Sequence, residues 1–199
     1  YFVADEPQIP AWRLTPPRDQ KAIEAMEKAY YDSDHSIKTM LEVLFTSDFF
    51  KDDSVRYQKV KNPTEMVVSL IRMTGEFQGY QPGLFEVSQE PKYMGMDLMN
   101  PPTVEGWHTG REWIDSGTLV ERINFASDML GNTELEGVRS LVNRMMGLGA
   151  KLTPEQFVNG CLDLTGPVQV TPDTMGQLIA HASQEGDLSH GNASEQSEF

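Results

Sequence analysis

The sequence predicts an all-α protein, an irregular multi-helix bundle of about seven to nine helices around one aromatic loop rich in proline, glycine and tryptophan. First, apolar residues recur at spacings of three and four along most of the chain. Second, capping residues and proline precede these stretches, whereas glycine follows them. Third, the segment 94–124 gathers two of the three tryptophans and runs into a capped helical pattern.

Two helices are predicted after a proline-rich, extended arm that covers residues 1–17. The first helix, over 18–31, has Asp19 in its first turn, where a carboxylate suits the helix dipole. The second begins at a cap formed by Asp34, and its apolar face consists of Ile37, Met40, Leu41, Leu44 and Phe45. His35 follows this cap, and we expect a surface or capping role for it rather than a ligand role.

The middle of the chain predicts one well-marked helix and one interrupted segment. Asn62 can cap the helix, and Pro63 suits its first position, where the missing amide hydrogen costs nothing. In the segment 82–99, Pro91 interrupts an apolar pattern, so two short helical pieces are expected. The methionines of this segment are expected in the core, although they could also pack under the aromatic loop.

The aromatic loop follows a stop at Asn100-Pro101-Pro102, and it supports two interpretations. As a plug, its tryptophan rings are buried and its arginine bonds to groups of the same chain. As a site, the rings and charged groups face a ligand. No spacing matches a catalytic signature, so the candidates are binding residues only: Trp107, His108, Arg111, Trp113 and Asn124.

Further helices are predicted after the loop. The first is capped by Asp115 or Ser116 and has an apolar stripe, with Asn124 beside it, made of Leu119, Ile123, Ala126 and Leu130. Another covers 135–146, and two openings, Thr153-Pro154 and Thr171-Pro172, start short helices that pair as a hairpin. The resulting division is a helical domain over 1–150, a hairpin appendage over 151–186 and a polar tail over 187–199.

Composition excludes several classes of partner and site. The formal net charge of −14 argues against nucleic acid and anionic lipid, which need a basic surface. No run reaches the roughly 18 apolar residues of a membrane span. The single cysteine, Cys161, rules out an internal disulfide and is expected as a small buried residue. The four histidines show no paired spacing, so neither a metal nor a cofactor is predicted.

The start of the chain predicts a longer precursor. Tyr1-Phe2-Val3 has no initiator methionine and no charged region ahead of an apolar one. We therefore expect the chain to bind the N-terminal part of its own precursor or other protein subunits, and to expose an apolar patch near its first two helices.

Three phrases of the sequence occur in an order that identifies a resemblance. They are HSIKTMLEVLFTSDFF (35–50), KVKNPTEMVVSLIR (59–72) and MGMDLMNPPTVEGWHTGREWIDSGTLVERINFA (94–126). In this order they resemble the C-terminal part of the domain of unknown function 1800 family, over residues 1 to about 130. The positions that carry the family phrases are Lys61, Pro63, Pro101, Pro102, Thr103, Gly106, Trp107, Arg111, Trp113, Arg122 and Asn124.

The resemblance implies a mostly helical bacterial protein, exported to the periplasm or cell surface, and it implies no reaction. Together with the absence of catalytic spacing, this favours a non-catalytic exported interaction or assembly subunit. The alternative is a carbohydrate-binding or hydrolytic module, with Trp107 and Trp113 as stacking platforms and a carboxylate pair drawn from Glu105, Glu112 and Asp115. The exposure of the two tryptophan rings discriminates between these hypotheses.

Overall fold

A computed structural model describes residues 2–5, 9–107, 109–149, 151–166, 168–184 and 188–189. Over these residues the chain is predominantly α-helical, with nine α-helices, and its strands amount to one antiparallel pair of two residues each. The predicted all-α class and the predicted number of helices are therefore confirmed. The described residues group into two compact units that are each assembled from separate stretches of sequence.

The first unit comprises Tyr1–Asn62 and Met99–Ser116. Helices α1 and α2 pack against each other in it, and its described residues form three α-helices: α1 (Gln20–Asp32), α2 (Ile37–Thr46) and α3 (Asp48–Lys51). Three short 3₁₀ turns accompany them, at Ile9–Ala11, Asp53–Val55 and Gly110–Trp113. The arm expected to be extended over 1–17 therefore contains a 3₁₀ turn.

The second unit comprises Pro63–Leu98 and Gly117–Phe199. Its helices are α4 (Pro63–Thr74), α5 (Leu84–Tyr93), α6 (Ser116–Gly131), α7 (Glu136–Met146), α8 (Pro154–Thr165) and α9 (Pro172–Ala182). Strands β1 (Lys151–Leu152) and β2 (Leu188–Ser189) pair antiparallel, with Lys151 opposite Ser189. Apart from β2, the predicted polar tail lies outside the described residues, and the predicted domain boundaries stay a prediction.

The starts of α1 and α2 differ from the prediction. Asp19, predicted in the first turn of α1, precedes the helix and caps it, since its carboxylate accepts a hydrogen bond from the Ala22 amide at 3.0 Å. The start of α2 is capped by Ser36, whose hydroxyl accepts from the Thr39 amide at 3.3 Å, and the predicted cap at Asp34 is wrong. Asp34 is exposed and adopts a left-handed backbone with a φ of 55°, a conformation that aspartate tolerates in turns.

The segment around Pro91 is one helix, so the prediction of two short pieces is wrong. Pro91 lies in the last turn of α5, where one missing amide donor weakens the helix without dividing it. The Met94 amide still donates to the Glu90 carbonyl at 3.2 Å, and the Met96 amide donates to the Pro91 carbonyl at 2.7 Å. A proline this close to a helix end terminates the helix rather than breaking it.

The core of the second unit lies where α4, α5 and α6 meet. Its buried members are Val67, Met94, Phe125 and Met129, with Met66, Leu70, Ile71 and Val87 packed against them. Met94 and Met96 are buried, as expected for methionines of this segment, whereas Met99 is 93% exposed and the expectation is wrong for it. Helix α7 crosses α4 at Gly137, where a methyl group would come within 2.3 Å of the Met73 carbonyl oxygen. The backbones of these two helices therefore touch.

Helices α8 and α9 contact each other, as their shared Thr-Pro openings predicted. Thr153 and Gln156 form a reciprocal capping box at the start of α8. The Thr171 hydroxyl accepts from the Thr174 amide at 3.2 Å and caps α9. These two starts were readable from sequence because each cap uses residues within three positions of it.

Candidate functional site

The aromatic loop begins with a tight turn from Thr103 to Gly106. The Gly106 amide donates to the Thr103 carbonyl at 3.1 Å, and the Thr103 hydroxyl donates to the Gly106 carbonyl at 3.2 Å. Gly106 has a φ of 103°, which favours glycine strongly over other residues. Val104 and Glu105 form the exposed tip of this turn.

A second glycine lets the loop approach the N-terminal segment. Gly110 is buried with a φ of 63°, and a methyl group on it would lie 3.2 Å from the Asp5 Cβ atom. The carboxylate of Asp5 accepts a hydrogen bond from the Val60 amide at 2.7 Å. Asp5 therefore joins two stretches of the first unit that are distant in sequence, and the loop packs directly beside this junction.

The two loop tryptophans have different environments. Trp113 is only 6% exposed, whereas Trp107 is half-buried. The Nε1 atom of Trp107 is buried and has no hydrogen-bond acceptor among the described residues. A ring as enclosed as Trp113 contributes apolar packing and leaves no face for a sugar. At Trp113 the loop is therefore part of the packed interior, as the first interpretation predicted, whereas the ring of Trp107 is only partly buried.

The remaining candidates are Arg111, His108 and Asn124. Arg111 is exposed on a 3₁₀ turn, and the hydrogen bonds expected of its guanidinium within the chain stay a prediction. His108 lies outside the described residues. Asn124 is exposed on α6 and belongs to the second unit, whereas the other candidates belong to the first. Of the four candidates that the structure describes, Trp113 is buried, Trp107 is half-buried, and Arg111 and Asn124 are exposed.

The described residues offer neither a metal site nor an activated thiol. No group of three or more histidine, cysteine, aspartate or glutamate side chains there could hold a metal ion. Cys161 is half-buried, and burial raises the pKa of its thiol, so the nucleophilic thiolate is disfavoured at neutral pH. Its environment is that of a structural residue.

The largest departure from expectation is on α6. The predicted apolar stripe is mostly exposed, and Leu119, Ile123 and Leu130 of that stripe, together with Val120, face solvent. Ile123 is 58% exposed, whereas Phe125 is 7% exposed. The residues that face the core are instead Arg122, Phe125 and Met129, at spacings of three and four. The exposed residues Leu119, Val120, Ile123 and Leu130 are called the α6 apolar face below.

Helix α6 also has an acidic side, which by helical spacing lies roughly opposite Ile123 and Leu130. Glu90 on α5 has a raised pKa, chiefly because burial disfavours its charged form and also because Glu121 and Asp128 of α6 repel it. On the core side of the helix, the cation of Arg122 is buried. Burial lowers the pKa of Arg122, and its Nη1 atom lies 3.7 Å from the Met66 sulfur. Helix α6 therefore has a core side, an acidic side and an apolar side.

Sequence reasoning missed this surface, although a signal for it is present. Helix α6 carries two apolar sets at helical spacing, one through Leu119 and Ile123 and one through Phe125 and Met129. Only one of the two sets can face a single core. A helix with two such sets in the sequence indicates that one set is available for another contact.

The fold and these surfaces define a class of protein: a mostly helical chain with a structured aromatic loop and an apolar helix face, in which no described helix is long and apolar enough to cross a membrane. The chain belongs to the family described as "Protein of unknown function (DUF1800)", whose model matches residues 1–195. The match extends well beyond residue 130, where the resemblance in the sequence became less distinct. Neither the curated proteins nor the solved structures contain a match.

Proposed function

We propose that this protein is a non-catalytic interaction or assembly subunit that docks a protein partner on the α6 apolar face. The observation that carries the proposal is the exposure of Leu119, Val120, Ile123 and Leu130 on one helix. Adjacent exposed apolar residues of this size are typical of protein contact surfaces, whereas isolated ones need no explanation. The aromatic loop is not needed for this role.

The net charge of the chain limits the partner. A second copy of a chain with a net charge of −14 is therefore disfavoured, and a partner with lysine or arginine at the rim of its own apolar surface is favoured. Other subunits and the N-terminal part of a longer precursor both remain within this proposal.

The proposal includes export to the periplasm or cell surface, and its support is the family resemblance alone. The carbohydrate-binding alternative is not carried further. Its stacking platforms were Trp107 and Trp113, and the burial of Trp113 removes one of them. A single half-buried ring beside an exposed arginine does not make a sugar subsite.

The test uses a photo-activated cross-linking amino acid placed at Ile123 in the organism that encodes the protein. The matched control places it at Tyr80, which is 98% exposed in the same unit and lies outside the α6 apolar face. We expect one discrete protein adduct from position 123 and none from position 80. The adducted partner, once purified, should bind the unmodified chain and bind the Ile123→Lys variant at least about tenfold more weakly. Identical adducts from both positions, or equal affinity for the variant, would contradict the proposal.

A further inference from the structure

The first unit contains an apolar cavity of about 330 Å³. Most of its walls come from residues 2–4, from helix α1 through Ala22 and Met26, and from helix α2 through Met40 and Leu44, and Pro17, Phe49 and Val55 complete the apolar lining. Ala22 and Leu44 are themselves buried, so the cavity opens inside the packing of α1 against α2. Its volume falls at the lower end of the range found for small-molecule sites.

The charged lining consists of two adjacent residues among those described, Arg18 and Asp19. Both are exposed, so they stand at the rim rather than inside. The Asp19 carboxylate is occupied as the cap of α1, where it accepts from the Ala22 amide at 3.0 Å. Arg18 also has an interaction within the chain. The rim therefore carries one positive and one negative group and has no net charge.

Two contributions to the binding free energy determine which ligand a cavity with this lining prefers. Transfer of methylene groups from water to an apolar wall stabilises the complex roughly in proportion to the area buried. A charged group inside would lose its hydration without gaining a partner, so it must stay outside the walls. A charged end group of the ligand at the rim would be attracted by one of Arg18 and Asp19 and repelled by the other, so it gains no net attraction there. An anionic end group is further disfavoured by the net charge of −14.

The geometry points to a binding site for a single unbranched aliphatic chain with an uncharged polar end, such as that of a fatty alcohol or ester. The chain lies between α1 and α2, and the polar end remains at the rim beside Arg18 and Asp19. This site belongs to the first unit and is independent of the α6 apolar face, which belongs to the second.

The probe is decanol, added to the purified chain whose methionine methyl groups are labelled with ¹³C for NMR. We expect the methyl resonances of Met26 and Met40 to shift, because both residues line the cavity. The resonances of Met129 and Met145, which are buried in the second unit, should stay in place. Unchanged Met26 and Met40 resonances at saturating decanol would overturn the inference.

Chain length provides a second readout. Across alcohols of increasing length, calorimetry should show affinity rising about fourfold for each added methylene and then levelling off when the cavity is full. Decanoate and decyltrimethylammonium should bind more weakly than decanol. An affinity that keeps rising with alcohol length would indicate adsorption on an open surface. Tighter binding of decanoate or decyltrimethylammonium than of decanol would contradict the proposal that the polar end is uncharged.

Two variants locate the site. Ala22→Leu fills the cavity and should lower the affinity for decanol at least about tenfold, whereas Ala25→Leu, on the exposed side of α1, should leave it unchanged. Met26→Ala enlarges the cavity, so the affinity should stop rising only at longer alcohols than in the natural chain. If Ala22→Leu fails to fold, as judged by circular dichroism, Met26→Ala still decides: an unchanged length profile would overturn the site.

Discussion

Helices α4 and α6 enter the same core, yet they use their apolar residues in opposite ways. On α4, the residues Met66, Val67, Leu70 and Ile71 recur at helical spacing in the sequence, and this set packs, with Val67 buried and the others against the core. On α6 the predicted stripe is exposed, and a second set through Phe125 and Met129 packs instead. Apolar periodicity identifies an amphipathic helix, but it does not select the packed side when a helix has two apolar sides.

Neighbouring helices explain the difference. Helix α4 contacts both α5 and α7, so its apolar residues have partners around much of the helix. Helix α6 reaches the core through Phe125 and Met129, and its opposite side has no comparable cover among the described residues. The number of helices that surround a given helix, rather than its own sequence, sets how many of its apolar residues are buried.

The largest expected effect comes from the packed side of α6. Phe125→Ala should reduce the free energy of unfolding by about 3–5 kcal/mol, since it removes a buried ring and leaves a cavity beside Val67 and Met94. Denaturant titration followed by circular dichroism measures the change. A loss below about 1 kcal/mol would show that α6 does not pack through this side.

The next effect concerns the crossing of α4 with α7. In Gly137→Ala, the new methyl group would meet the Met73 and Thr74 carbonyl oxygens at 2.3 and 2.4 Å, and neither backbone atom can move without shifting a helix. We expect a loss of about 2–3 kcal/mol in the same titration.

A matched control for this crossing is Gly176→Ala on α9. Its methyl group would meet nothing within 4 Å, so alanine should stabilise the helix by about 0.5–1 kcal/mol through its higher helix propensity. Equal effects of the two substitutions would mean that α4 and α7 do not touch at Gly137.

A smaller, pH-dependent effect is expected on the acidic side of α6. Burial and the charges of Glu121 and Asp128 raise the pKa of Glu90 above its ordinary value of 4.5. The folded state therefore binds the proton more tightly than the unfolded state, and the contribution of Glu90 to stability is full below the ordinary pKa and is lost as pH rises through the raised one.

Glu90→Gln removes this dependence. At neutral pH the variant should unfold at a slightly higher temperature than the natural chain, by up to about 1 kcal/mol in stability. Below the ordinary pKa of 4.5 the two should coincide, because Glu90 is then protonated in both states. Calorimetric melting across this pH range is the measurement, and a variant that is less stable at neutral pH would contradict the predicted sign.

The smallest effect is expected on the α6 apolar face. Ile123→Ala should change the free energy of unfolding by less than about 0.5 kcal/mol, because the side chain is already 58% exposed. Compared with Phe125→Ala in the same assay, it gives the sharpest test of which side of α6 is packed. A cost near that of Phe125→Ala would place this face inside the folded chain.

The sequence by itself determined the caps of α8 and α9, although it misplaced the cap of α2. Thr153 and Thr171 could be read as caps because each hydroxyl acts on an amide three residues away. The sequence also located the aromatic loop after Asn100-Pro101-Pro102, and the structure places Gly106 and Gly110 of this loop at positive φ. Such features depend on backbone geometry over a few residues, and that geometry is set locally.

Only the tertiary structure decided which side of a helix is buried and which loop ring is enclosed. Trp107 and Trp113 are equivalent in sequence terms, yet Trp113 is buried and Trp107 is half-buried. The two apolar sides of α6 are likewise equivalent until α4 and α5 are in place. Burial depends on side chains brought together from distant parts of the chain, and the hydrophobic effect has no direction of its own that a single helix could encode.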